Sequence, residues 1–136
     1  MEAILYVEDE TFVREAVREI LRAAGYCVFA AKTAAEAVGI YDEHAAEIDL
    51  LLTDIVLPGE KGGQLAKRLR SVNPSLKVLL VTGYGEQLAK REDTWEECLA
   101  KPFTSAVLLE KIGQLLDARE PPLGGEELVR RACSGA

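Results

Sequence analysis

Histidine is nearly absent from this 136-residue chain. His44 stands alone, which excludes a metal site built from several imidazoles. Cysteine is scarce and odd in number. Cys27, Cys98 and Cys133 show no metal-like spacing, so free thiols in a reducing cytosolic setting are the simplest expectation. Positive charge is also short: 16 Lys and Arg stand against 23 Asp and Glu, a net charge of −7. Phosphate backbones and anionic membrane surfaces need a basic face, so neither nucleic acid nor membrane is expected as a direct partner. No apolar run approaches the roughly 18 residues of a membrane span. No signal peptide is evident, because Glu2 follows Met1 and the first apolar run, residues 3–7, is short and ends in acids. A cytoplasmic location is the expectation that follows from these absences.

What is present supports a folded domain. Hydrophobic residues make up 49% and charged residues 29%, enough for a core in a chain of one-domain length. The most informative stretch runs over residues 49–59. Leu50, Leu51 and Leu52 in succession read as a strand buried on both faces, and Asp54 follows them before Pro58 and Gly59 turn the chain.

The rest of the chain alternates in kind. Residues 3–7 form a short apolar strand followed by Glu8, Asp9 and Glu10. Val13, Ala16, Val17, Ile20, Leu21 and Ala24 recur at helical spacing over residues 11–24, with Arg14, Arg18 and Arg22 on the other face. Gly25 is placed to close that helix. Residues 26–30 read as a second strand. Thr33 and Glu36 form a capping-box pattern opening a helix that runs to His44, itself an exposed helix residue. Residues 50–54 are the third strand. A loop follows over 58–63, in which Gly62 or Gly63 is expected at positive φ. A third helix spans 64–72, with Leu65, Ala66, Leu69 and Val72 inward. A fourth strand spans 77–82. A helix over 86–93 is poor in apolar residues and is therefore expected to be the most mobile element. Residues 98–100 are a short fifth strand. A final helix over 104–116 turns Val107, Leu108, Ile112, Leu115 and Leu116 inward. Residues 1–118 form the domain. Residues 119–136, with Pro121-Pro122 and Gly124-Gly125, form a tail that is flexible or briefly helical over 126–133.

Strands alternating with helices over short connections imply an α/β domain with a parallel sheet covered on both faces. The carboxyl ends of its strands then share one edge, where the chemistry of such sheets sits. That edge collects Glu8, Asp9, Asp54, Thr82 and Lys101. Three clustered carboxylates repel one another, and a hard divalent cation such as Mg²⁺ relieves the repulsion. An aspartate beside that ion can attack a phosphoryl group. Lys101 and the Thr82 hydroxyl can contact the phosphoryl oxygens.

These residues resemble those of a known family, the receiver domain of bacterial two-component response regulators. The resemblance rests on Glu8-Asp9, on Asp54 with Pro58 and Gly62 after it, on Thr82-Gly83 and on Lys101-Pro102-Phe103, and it covers residues 3–117. It implies the flavodoxin-like, CheY-like doubly wound fold, a five-stranded parallel sheet in the order 2-1-3-4-5. It also implies Asp54 as phosphoacceptor, Glu8, Asp9 and the Val56 carbonyl as further Mg²⁺ ligands, Thr82 as switch hydroxyl, Lys101 as phosphate partner, and a cis Lys101–Pro102 peptide. The implied donor is a histidine kinase or a histidine phosphotransfer protein. A downstream protein partner would read the face of the fourth helix, fifth strand and fifth helix, with homodimerisation on phosphorylation as one output. Such a domain modifies itself and is not a turnover enzyme.

The chain departs from the family where Cys98 replaces an aromatic switch residue; Tyr84 or Trp95 could substitute. Glu8 stands where the family often has Asp. Val56 and Tyr84 position water poorly, so slow self-dephosphorylation is expected. The run Thr82-Gly83-Tyr84-Gly85 looks like receivers of hybrid histidine kinases, so the chain is expected to be a stand-alone receiver or one domain of a longer protein. Two other classes compete. A phosphohydrolase with an aspartate nucleophile would need a second Asp at position 56, where Val56 stands, and a cap domain. A pseudo-receiver scaffold would bind partners unphosphorylated.

Overall fold

A computed structural model describes residues 2–82 and 97–117. The predicted fourth helix, Tyr84, Trp95, Cys133 and the tail lie outside the described residues. The elements are β1 (Ala3–Val7), α1 (Thr11–Ala23), β2 (Cys27–Ala31), α2 (Ala34–His44), β3 (Ile48–Asp54), α3 (Gly62–Val72), β4 (Lys77–Thr82), β5 (Glu97–Ala100) and α4 (Ser105–Asp117), the last being the fifth helix foreseen from sequence. The strands form one parallel sheet in the order β2-β1-β3-β4-β5.

The sheet is buried because its strands carry apolar residues on both faces. On one face Leu5, Val7, Leu51, Val78 and Leu80 pack with Ala37 and Tyr41 of α2 and Leu65 and Leu69 of α3. On the other, Ile4, Tyr6, Leu50, Leu52, Leu79 and Val81 pack with Val17 and Leu21 of α1 and Leu108 and Ile112 of α4. The central strand β3 is therefore clamped from both sides, and Asp54 at its end inherits that rigidity.

Local signals set the element ends. The Thr33 hydroxyl accepts from the Glu36 N–H at 3.1 Å, and Glu36 Oε1 accepts from Lys32 N–H at 2.8 Å. Thr104 Oγ1 accepts from Val107 N–H in the same way at the start of α4. Gly25, at φ 100°, closes α1 in the left-handed region. The peptide between Lys101 and Pro102 is cis, as the resemblance implied.

Several expectations need correction. Neither Gly62 nor Gly63 has positive φ; among the described residues Gly25 and Gly59 do. Both Gly62 and Gly63 are instead buried in the first turn of α3, which starts two residues earlier than the apolar spacing indicated. Gly62 is required by close packing. A Cβ there would overlap the backbone carbonyl oxygen of Asp54 and lie 3.0 Å from its carbonyl carbon. Val72 and Val107 do not face inward; they are 69% and 44% exposed, Val72 as the last residue of α3 and Val107 because it lies one residue off the stripe that buries Leu108, Ile112 and Leu116. Ala16 in α1 and Ala24 just past its end are exposed, and the buried stripe narrows to Val17 and Leu21. His44 is half-buried: its ring lies 4.5 Å from that of Phe29, and Nδ1 is 3.1 Å from Glu47 Oε2.

Candidate functional site at the carboxyl edge of the sheet

Parallel register carries the strand ends to one place. Val7 pairs with Thr53, so Glu8 and Asp54 emerge side by side from β1 and β3. Asp54 pairs with Val81, so Thr82 lies one residue further along β4. Thr82 pairs with Ala100, and the Lys101 N–H donates to the Thr82 carbonyl at 2.8 Å, which launches the Lys101 side chain from the same edge. The backbone behind Asp54 is tied on both sides. Ile55 N–H donates to Val81 O at 2.9 Å, and Gly62 N–H donates to Ile55 O at 2.7 Å.

Glu8, Asp9 and Asp54 each offer a carboxylate oxygen, and these oxygens lie within 4.8 Å of one another. Glu8 and Asp54 are buried, at 1% and 8% exposure, whereas Asp9 is exposed at the mouth. Lys101 Nζ bridges the two buried acids, 3.3 Å from Asp54 Oδ1 and 3.6 Å from Glu8 Oε1. Glu8 is anchored further: its Oε2 accepts from Glu10 N–H at 3.2 Å, and its carbonyl accepts from Arg14 Nη1 at 2.8 Å. Thr82 is buried at 3%. Val56, two residues beyond Asp54, is 62% exposed and makes a single antiparallel bridge to Lys61.

The electrostatics follow from this crowding. Burial first, and then the hydrogen-bonded, charged Glu8 carboxyl, push the Asp54 pKa up to about 7 against the opposing pull of Lys101. Two facing carboxyls hydrogen-bond only when one holds a proton, so metal-free Asp54 competes for a proton near neutrality. Partial burial works to lower the Lys101 pKa, but the charges of Asp54 and Glu8 outweigh it and raise the value. Tyr6 was not foreseen from sequence. Burial raises its phenol pKa, and the charges of Glu8 and Asp54 add to the rise. Its position two residues before Glu8 on a strand, hence on the same side, was the available signal.

The donor set suits a hard cation. It is all oxygen, carries three formal negative charges and opens to solvent at Asp9, which leaves room for the water ligands that Mg²⁺ retains. Near the site, Cys98 is half-buried in β5, opposite Leu80, and packs into the α2/α3 face of the core. It supplies no aromatic lever.

Comparison with known proteins agrees with this geometry. The family model described as "Response regulator receiver domain" matches residues 4–113. The sensor kinase CckA of Brucella abortus is 32% identical over 120 residues, covering 86% of this chain and 13% of that protein. The aerobic respiration control protein ArcA of Escherichia coli is 34% identical over 132 residues, covering 95% of this chain and 54% of that protein. The chain thus spans from about an eighth to about half the length of these curated relatives. Among solved structures, a response regulator receiver protein from Sinorhizobium medicae superposes with a TM-score of 0.81 at 31% identity, covering 88% of this chain and 97% of that one. Fold, strand order, edge chemistry and sequence likeness converge, and the chain belongs to the response regulator receiver domain family.

Proposed function

We propose that this domain accepts a phosphoryl group on Asp54 from a phosphohistidine of a histidine kinase or a histidine phosphotransfer protein, and signals to a downstream protein in the cytoplasm. The observation that carries the reading is Asp54 itself. It is a buried carboxylate at the end of a strand clamped on both faces, with Lys101 Nζ 3.3 Å away and two more acids alongside. In the transfer, a carboxylate oxygen of Asp54 forms a bond to phosphorus as the phosphorus–nitrogen bond of the donor histidine breaks, and the imidazole leaves with that electron pair. Positioning and charge neutralisation supply most of what such a transfer needs.

Glu8, Asp9, Asp54 and the Val56 carbonyl would hold Mg²⁺. The ion, when bound, would offset both the charge of the acids and that of the transferred oxygens. Lys101 gives up its contacts with Glu8 and Asp54 to meet a phosphoryl oxygen. The Thr82 hydroxyl meets another, and its inward turn is the first movement of the switch. The output surface lies around β5 and α4, and homodimerisation through that face is one form the output takes. The domain is phosphorylated and loses phosphate on its own residue, so it does not turn over a substrate.

Incubation with acetyl phosphate and Mg²⁺, followed by intact mass measurement, tests the proposal. One added phosphoryl group that is absent in Asp54→Asn supports it. Sustained turnover of phosphomonoesters would mark a hydrolase, and no addition under any donor would mark a scaffold; either outcome defeats it.

A further inference from the structure

The β2 edge of the sheet, two strands from Asp54, carries a surface that the proposed phosphoryl transfer does not use. Among the described residues β2 is an edge strand, paired with β1 alone. Cys27 N–H donates to Glu2 O and Glu8 N–H donates to Ala31 O, so residues 27, 29 and 31 turn their backbone groups toward β1. The two-residue period of a strand then turns the N–H and C=O of Val28 and Ala30 outward. Proteins ordinarily blunt such an edge with Lys, Pro or a bulge. The β2 sequence Cys-Val-Phe-Ala-Ala has no charge and no proline, and its register with β1 is continuous.

This edge is the floor of a cleft of about 360 Å³ between β2 and the flank of α1. Val28 and Ala30 line it, and Arg14, Arg18 and Lys32 stand over them. The cations are only lightly engaged. Arg18 meets Glu15 at 3.2 Å in an exposed pair of the kind that is worth little. Arg14 donates one hydrogen bond, to the Glu8 carbonyl. The Lys32 ammonium has no partner among the described residues. Glu36, the other acid of the cleft, accepts from the Lys32 backbone N–H rather than from its ammonium. A basic cleft on a protein of net charge −7 is a local reversal of sign.

We propose that the β2 edge binds an extended acidic segment of a partner protein by strand addition. The partner's backbone pairs with Val28 and Ala30, and carboxylates at alternate positions reach Arg14, Arg18 and Lys32. The exposed backbone selects an extended chain, because an extended chain offers N–H and C=O groups in register with those of Val28 and Ala30, which a lone small anion does not. The cations select acidic side chains, and alternation follows because every second residue of an added strand faces α1. Antiparallel self-pairing of two β2 edges is disfavoured, because it would bring two basic clefts together.

The test uses a fluorescently labelled peptide alternating Glu and Val, read by anisotropy with the full chain, together with amide exchange at Val28 and Ala30. We expect binding, slowed exchange at those two amides, and a loss of affinity of roughly tenfold or more in Arg18→Glu with Lys32→Glu. These side chains lie at the protein surface away from Asp54, so phosphorylation by acetyl phosphate should be unchanged in that variant, which also verifies that it folds. A Lys-Val peptide should not bind. Undiminished binding of a peptide N-methylated on alternate amides, competition by inorganic phosphate alone, or unprotected Val28 and Ala30 would overturn the proposal.

Discussion

Replacing Asp54 with Asn removes the reacting group and, by the same stroke, should make the metal-free protein more stable. The Asp54 pKa rises from 3.8 to about 7 in the folded state because ionisation there is opposed by burial and by Glu8. A raised folded value means that the native state holds its proton more tightly than the unfolded chain. The stabilising contribution is complete below 3.8 and is lost as pH climbs through about 7. A shift of about three units corresponds to a ceiling of roughly 4 kcal/mol at 1.36 kcal/mol per unit. Solvent access at the mouth and the lost Lys101 contact reduce this, so the net gain on replacement should be about 1–2 kcal/mol near pH 8. For a domain of this size that is roughly 3–10 °C in Tm. Urea unfolding of both proteins with a chelator present, at pH 5 and pH 8, measures it. The difference in stability should widen toward pH 8 in favour of Asp54→Asn. A difference that stays constant, or one that favours the wild type at pH 8, would refute crowding of the carboxyls as the cost.

Three further outcomes follow from other parts of the molecule. Gly62→Ala forces a methyl group into the Asp54 carbonyl, so it should destabilise by about 1–3 kcal/mol and slow phosphorylation by displacing the acceptor; calorimetry and mass-detected kinetics would measure the two effects. Tyr41→Phe removes a hydroxyl that is buried in the α2/α3 face of the core with no partner among the described residues, so it should leave urea stability unchanged or raise it by about 1 kcal/mol. Val56→Asn with Tyr84→Glu introduces groups able to orient water, so phosphate loss from the isolated phosphoprotein should quicken several-fold; an unchanged half-life would remove the basis for slow self-dephosphorylation.

Much of the fold was legible because parallel strands are buried on both faces. Leu50–Leu52 and residues 78–81 are short apolar runs that fit a covered sheet, and the order of the strand ends then gathered Glu8, Asp9, Asp54 and Lys101 without further information. What stayed hidden depends on contacts between distant segments. The role of Gly62 could not be read locally, because the atom it must avoid belongs to Asp54, eight residues earlier. Val72 fits the helical period yet ends α3 and stays exposed, and Val107 lies one residue off the stripe formed by Leu108, Ile112 and Leu116. His44 offered no signal of its stacking on Phe29, which sits on another element. Tyr6 read simply as part of an apolar strand, and its coupling to Glu8 and Asp54 emerged only once β1 and β3 were in register. The open edge of β2 likewise needs the strand order, which no single segment encodes.

The account stands on Asp54 as the phosphoacceptor. Peptide mapping of the intact chain after exposure to acetyl phosphate and Mg²⁺ is the most direct test. It should place one phosphoryl group on Asp54, with little label when a chelator removes the metal and slower labelling in Lys101→Ala. A phosphoryl group on any other residue, or full labelling of Asp54→Asn, would contradict it.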